Sequence, residues 1–422
     1  MRDGALRVLM YTRYLLGPGG GERLMFEEVR HLASRGVRVS ILTPGYDASV
    51  RFGHTYDYPV QVIALPRVPR PFSKLEPLAR MIWEVLALRR WILSNRPHVI
   101  VAQRAGDAIP MAFATLLTSV PYVTHINGTV FWFDNNQNLY KYSRLHRRVF
   151  DTIRDATWGH RDFYPRSMPR MGLRKRFGWE VRALLMFFGV RRASEVINFT
   201  RKMAWEVELL YGRRGRVIRG AVPRAALDYR PKQDIKAKLG LSGKDMILNV
   251  NRLENRKRVD LVIRAFSILA RESQVLHLVI GGAGPEEGAL MALARDLGLT
   301  DRISFVGFIA EQDLFDYYAS CSVFVHPNWA DHALAPYEAL AMQRKVVWTN
   351  EMEMEDDVLK ANGHIFPADP TPTDFAAAIR RALTAGELPP DDMTDYAWDR
   401  YCEQILQLLQ EVAGRKASRH EA

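Results

Sequence analysis

Short apolar runs of strand length alternate with stretches of helical spacing, and the alternation occurs twice. "LRVLMYT" is followed by helical periodicity over 22–35, then by "VRVSILTP", "VQVIALP", a second helical stretch over 75–95, "HVIVAQR" and "PYVTHIN". A second series starts near Asp245: "DMILNVNRL", helix 259–273, "LHLVIGGAG", helix 286–298, "RISFVGF", helix 311–320, "SVFVHPN", helix 334–342 and "VVWTN". Runs this apolar are buried on both faces, and helices between them predict parallel strands. The chain therefore reads as α/β, two Rossmann-like doubly wound domains facing a central cleft.

A length of 422 residues agrees with two cores rather than one. The polar stretch "VPRAALDYRPKQDIKAKLGLSG" separates the two series and reads as a linker. The expected domains are 1–222, completed by a C-terminal helix 395–415, and 223–394. Between Phe131 and about Trp179 aromatics and cations interleave without strand signals, as an elaboration of the first domain. With only Cys321 and Cys402, neither a disulfide framework nor a cysteine metal cluster can be built, and a reducing cytosolic compartment fits. The most apolar stretch, "AIPMAFATLLTSVPYV", is too short to span a bilayer.

The net charge of +12 is concentrated in one place. From Leu139 to Arg224, 21 Lys and Arg stand against 7 Asp and Glu, and the remainder of the chain holds 38 against 40. Such a segment attracts nucleic acid, anionic lipid or a phosphorylated ligand. No nucleic-acid module is recognisable in it, which disfavours the first. Arg174, Lys175 and Arg176 beside Trp132 and Trp179 have the cation and aromatic pairing of an interfacial surface, and a solvated charged face is the plainer alternative.

Ligands in doubly wound sheets bind at the carboxyl ends of the strands, so the loops there carry the chemistry. Arg252 and Lys257 follow a strand and are predicted to open a helix, an arrangement suited to a phosphate or diphosphate; a solvated charge run is the alternative. Gly19, Gly20 and Gly21 follow the first strand and let backbone approach a ligand closely. Gly284 lies in a strand, turn and helix pattern that packing explains as well as ligand contact. Glu338, near a helix start, is either a ligand-binding acid or one that favours the helix dipole. His125 closes "PYVTH" at a loop, where it is a candidate substrate contact or a satisfied structural histidine.

Taken in order, "GPGGGER", "RLENRKRVDLVIRAF", "VIGGAGPE", "FVGF" and "APYEALAMQRKVV" make the chain resemble retaining GT-B glycosyltransferases of family 4 over nearly its whole length. "GGGERL" and "APYEALAMQ" look closest to the mannosyltransferases that assemble lipid-linked oligosaccharides. The resemblance implies that Arg252 and Lys257 bind the donor diphosphate and that Glu338 holds the ribose hydroxyls. It implies too that backbone at Phe308 reads the base, that Gly19 and Gly20 lie beside the diphosphate, and that His125 sits near the transferred sugar. Gly21, Gly284, Leu334 and Ala335 complete the implied donor set. One departure stands out: eight residues before Glu338 the family has a second glutamate, and here Ala330 stands there, with Asp331 beside it to take the role.

The implied activity is transfer of a hexose from GDP-mannose or a UDP-sugar to a lipid-linked or glycolipid acceptor. The implied place is the inner, cytoplasmic face of an anionic membrane, with peripheral association. The resemblance implies no cofactor and no metal, and no Asp-x-Asp stands where a metal-dependent site would have one. Ala330 keeps a second expectation open, a non-catalytic GT-B subunit that partners an active transferase.

Overall fold

A computed structural model describes residues 5–13, 15, 20–45, 61–65, 78–126, 128, 148–149, 152, 172–220, 222–328, 333–350, 363–390 and 392–420. The first series of apolar runs supplies β1 (Arg7–Tyr11), α1 (Gly20–Ser34), β2 (Arg38–Thr43), β3 (Gln61–Ala64), α2 (Leu78–Asn95), β4 (Val99–Ala102), α3 (Ala108–Ala114), β5 (Tyr122–His125), α4 (Leu173–Arg192), β6 (Glu195–Asn198), α5 (Arg201–Tyr211) and β7 (Arg216–Val217). These strands form one parallel sheet in the order β3-β2-β1-β4-β5-β6-β7. Strands such as β4, "VIVA", are buried along their whole length because helices cover both faces.

Two single helical turns, 224–227 and 235–238, lead into the second sheet. It comprises β8 (Asp245–Val250), α6 (Val259–Glu272), β9 (Leu276–Gly281), α7 (Glu287–Asp296), β10 (Ile303–Gly307), α8 (Glu311–Ser320), β11 (Val323–His326), α9 (Leu334–Ala341), β12 (Lys345–Thr349), β13 (Ile365–Ala368) and α10 (Pro372–Thr384). The order is β10-β9-β8-β11-β12-β13, again all parallel. The direction of winding reverses between β1 and β4 in the first sheet and between β8 and β11 in the second. Those are the two places where a doubly wound sheet opens a crevice at its carboxyl edge.

The last helix, α11 (Trp398–His420), returns to the first sheet. Trp398, Tyr401, Ile405 and Leu408 bury against the same cluster as Val8, Met10, Val99 and Val101. At the crossing, Val222 bridges Ala397: the Val222 N–H donates to Tyr396 O at 3.0 Å and the Trp398 N–H to Val222 O at 2.8 Å. The two passages of the chain between the sheets thus lie side by side.

Two elements differ from the expectation. Helix α1 begins at Gly20, so Gly20 and Gly21 are its first residues rather than part of a loop. Helix α4 starts inside the segment that lacks strand signals, which ends at about Trp179, and runs on to Arg192. Its apolar residues lie on two faces: Ala183 and Val190 are buried, whereas Leu173, Phe177, Val181, Leu184 and Phe188 are exposed. With apolar residues on opposite sides, a single 3.6-residue stripe is not visible in the sequence. Among the described residues no helix is long and apolar enough to cross a membrane.

Candidate active site

At the crevice of the second sheet, three loops are tied together by backbone. The Asn251 N–H donates to Gly281 O at 3.0 Å, the Leu253 N–H to Ala283 O at 3.0 Å, the Gly282 N–H to Gly307 O at 2.7 Å and the Glu286 N–H to Leu253 O at 3.0 Å. Gly282 has φ +124°, and a Cβ there would collide with the Asn251 carbonyl; one at Gly284 would collide with the Leu253 carbonyl. Close approach of these loops therefore requires glycine at both positions. Gly284 is explained by this packing, and the packing brings the loops after β8, β9 and β10 to one point.

Arg252 stands on that point, largely exposed, with Nη2 3.1 Å from Glu254 Oε1. The segment does not open a helix directly. A 3-10 turn, Asn255–Lys257, comes first, then Arg258 at φ 50°, and α6 starts at Val259. That turn folds Lys257 inward, to 8% exposure, while Arg252 stays outside. Burial pushes the Arg258 guanidinium down to about 10, so it remains charged at neutral pH.

Glu338 is not a helix-start acid. It is the fifth residue of α9, 1% exposed, and Oε2 accepts a hydrogen bond from the Tyr318 hydroxyl at 3.1 Å. A surface acid that merely favours a dipole has no need of such burial. Leu334 and Ala335 form the first turn of α9, with no side-chain cap on its N–H groups. Leu334 packs against apolar clusters of both sheets, so the start of α9 lies where the two halves meet. Phe308, just past β10, is 76% exposed. Gly19 and Asp331 lie outside the described residues.

Sequence reasoning missed a set of buried amides around the same crevice. Asn328, wholly buried after β11, has no hydrogen-bond partner on either side-chain atom. Neither has Asn249 Oδ1 nor Asn251 Nδ2, while Asn249 Nδ2 donates to Val325 O at 2.7 Å and so bridges β8 and β11. Buried amides normally find partners, so a concentration without them at a switch point marks a place for hydrogen-bonding ligand groups. "NVN" and "HPN", one at the end of each switch strand, were the available signal.

The first crevice is built from charges. Arg13, just past β1, donates from Nε and Nη2 to the two oxygens of Glu84 at 2.9 Å each, and the Tyr11 hydroxyl also donates to Glu84. Burial and the Asp107 charge push Glu84 up to about 8, whereas the Arg13 contact favours its ionised form. Asp107, past β4, is itself buried, and burial pushes it up to about 6 against the opposing charges of Arg104, Arg13 and Arg182. One of its oxygens, Oδ2, has no hydrogen-bond partner.

His125, the last residue of β5 and a candidate substrate contact or structural histidine, is fully buried in this structure. Strand β5 is interior, and its end is roofed by α1 and α11. Glu28 Oε1 lies 3.2 Å from His125 Nδ1 and accepts from the Tyr401 hydroxyl at 2.5 Å; Gln103 Nε2 donates to Oε2 at 3.2 Å. The Phe199 ring lies tilted against the imidazole, with ring centroids 5.3 Å apart and planes at 60°.

The proposed membrane residues divide. Arg174 and Arg176 are exposed on α4, and the Arg182 guanidinium lies 5.2 Å over the half-buried Trp179 ring. Trp132 and the side chain of Lys175 fall outside the described residues.

Residues 18–225 match the family Glycosyltransferase Family 4, and residues 231–398 match Glycosyl transferases group 1. Each half thus matches a glycosyltransferase family model. Mannosylfructose-phosphate synthase of Agrobacterium fabrum is 34% identical over 127 residues, 28% of each chain. Alpha-monoglucosyldiacylglycerol synthase of Streptococcus pneumoniae is 27% identical over 187 residues, 44% of this chain and 40% of that one. The chain thus spans less than half the length of these two curated relatives. The two domains superpose as a pair on solved GT-B structures. A glycosyltransferase from Rickettsia africae aligns at TM-score 0.70 and 14% identity over 97% of this chain and 99% of that one. HepE of Anabaena, solved with UDP and glucose, aligns at 0.61 and 16% over 99% of both. The fold is GT-B.

Proposed function

We propose that the chain is a retaining glycosyltransferase that moves a hexose, mannose by preference, from GDP-mannose or a UDP-sugar to a lipid-linked acceptor at the cytosolic membrane face. The observation that carries the reading is the convergence of Arg252, Gly284, Phe308 and Leu334, with Lys257 and Glu338 behind them, on the carboxyl edge of one sheet. The UDP bound to HepE supports a nucleotide diphosphate donor, and the name of the mannosylfructose-phosphate synthase supports mannose. The diacylglycerol in the name of the pneumococcal relative supports a lipid acceptor.

In this reading Glu338 takes the ribose hydroxyls, backbone at Phe308 takes the base, and the first turns of α1 and α9 turn their N–H groups toward the diphosphate and sugar. Cleavage of the anomeric bond leaves positive charge on the sugar and negative charge on the diphosphate, so Arg252 and Lys257 act most strongly as that charge develops. Lys257, shielded from water, acts through a lower dielectric than the exposed Arg252. The acceptor oxygen bonds to the anomeric carbon on the face the diphosphate leaves, and the departing phosphate oxygen takes the hydroxyl proton. His125 supports the first crevice from behind, through Glu28 and Tyr401, and Asp331 fills the place of the missing glutamate. No cofactor and no metal enter this scheme.

Purified protein incubated with a panel of GDP- and UDP-sugars should release nucleotide from one of them. Absence of both release and nucleotide binding would overturn the reading in favour of a non-catalytic GT-B subunit, which Ala330 favours.

A further inference from the structure

Among the described residues thirteen large apolar side chains are exposed, and nine of them belong to one layer of the first domain, formed by α2, α3 and α4 with the turn after α3. The α4 members, Leu173, Phe177, Val181, Leu184 and Phe188, are spaced by four, four, three and four residues, which puts them on a single helix face. Their exposures run from 38% at Val181 to 84% at Leu173. The face belongs to a helix already anchored by its other side, where Ala183 is buried and Val190 belongs to the core cluster of the first sheet. Ile82 and Leu86, 50% and 56% exposed, stand on α2, which packs on α3 from one side as α4 does from the other.

The charge around this patch has one sign. Helix α4 carries Arg174, Lys175, Arg176, Arg182, Arg191 and Arg192 against the single acid Glu180. Helix α2 carries Arg80, Arg89 and Arg90, and its only acid, Glu84, is buried on Arg13. Clustered apolar exposure marks an interaction surface, and a rim almost free of acids selects a partner that is apolar within and anionic at its surface. A helix between parallel strands runs against them, so α2 and α4 both begin at the carboxyl edge, beside the first crevice.

We propose that the outer face of α2 and α4 is a bilayer-docking surface that inserts its apolar side chains among anionic lipids and sets the first crevice at the membrane. The proposal rests on the lipid-acceptor reading above and adds to it the surface and the mode, insertion rather than charge alone. A bilayer lying along this layer gives a lipid-borne acceptor access to the crevice without leaving the membrane.

The test uses the full chain with vesicles of phosphatidylcholine, with and without phosphatidylglycerol. Wild type should bind the phosphatidylglycerol vesicles, and raising salt should weaken binding without abolishing it, because the apolar part is unscreened. The double variant Phe177→Glu, Leu184→Glu should lose about tenfold or more in vesicle affinity, whereas replacing Arg174, Lys175 and Arg176 by Gln should chiefly remove the salt-sensitive part. Nucleotide binding should be unchanged in both, since the donor crevice belongs to the other sheet. If the double variant unfolds on thermal melting, the milder Phe177→Gln should still show a smaller loss. Wild type that ignores these vesicles, or variants that bind as wild type does, would overturn the proposal. So would a wild-type dimer that these glutamates dissociate, which would make the face a contact between copies. Failure of the donor reading shows separately, as absence of nucleotide release whatever the vesicles do.

Discussion

Around the second crevice the buried polar atoms without partners belong to neutral amides, Asn249, Asn251 and Asn328, beside the buried Lys257 and Glu338 held by Tyr318; around the first the buried polar groups are charged, Arg13 on Glu84 and Asp107 among Arg104 and Arg182. Neutral amides, one anchored carboxylate and one buried lysine suit a ligand read by its hydroxyls, base and negative charge. A set of paired charges holds its own geometry instead, since removing either member of a buried pair strands the other. The same topology thus carries two different kinds of wall, one prepared to bond with a ligand and one largely bonded to itself.

The largest effect is expected where the second crevice has no slack. Gly282→Ala places a Cβ against the Asn251 carbonyl at a φ of +124°, so the loops after β8 and β9 must separate. The cost should be about 3 kcal/mol or more in unfolding free energy, with nucleotide binding lost alongside it. A variant as stable as wild type in denaturant titration would show that the three loops are not locked together.

At the first crevice the expected signature is a pH slope. Asp107 moves from an ordinary 3.8 to about 6, so between those values the unfolded chain ionises while the folded chain holds the proton. Stability contributed by this group is therefore full below about pH 4, is lost as pH rises to about 6, and is level above, a change of roughly 3 kcal/mol at most. Asp107→Asn should flatten that part of the thermal stability profile. An unchanged slope would mean that the arginines keep Asp107 ionised throughout.

Glu338→Gln should weaken nucleotide binding by about 1 to 3 kcal/mol with the fold intact, the range for losing a charged hydrogen-bond partner. Calorimetry showing undiminished affinity would make Glu338 a structural acid held by Tyr318.

How much could be read from the sequence follows the same division. The loops of the second crevice come from successive strands, with glycines at short spacing, so local pattern reveals them; the 3-10 turn that buries Lys257 adjusts the detail. The first crevice joins Arg13, Glu84, Asp107 and Arg182, and behind it Glu28, His125 and Tyr401, residues far apart in the chain that only the finished sheet brings together. His125 was legible as a strand end, but its burial depends on α11, which arrives after the whole second domain. Helix α4 escaped notice because its second apolar face is exposed, and periodicity assumes one face.

The central claim is that the second crevice holds a diphosphate whose charge grows in the transition state. The most direct measurement compares turnover and donor affinity in Arg252→Ala and Lys257→Ala. Each should lower kcat at saturating donor, on the order of a hundredfold for Lys257→Ala, while donor Kd changes by much less. Unchanged kcat at saturating donor in both variants would contradict the claim.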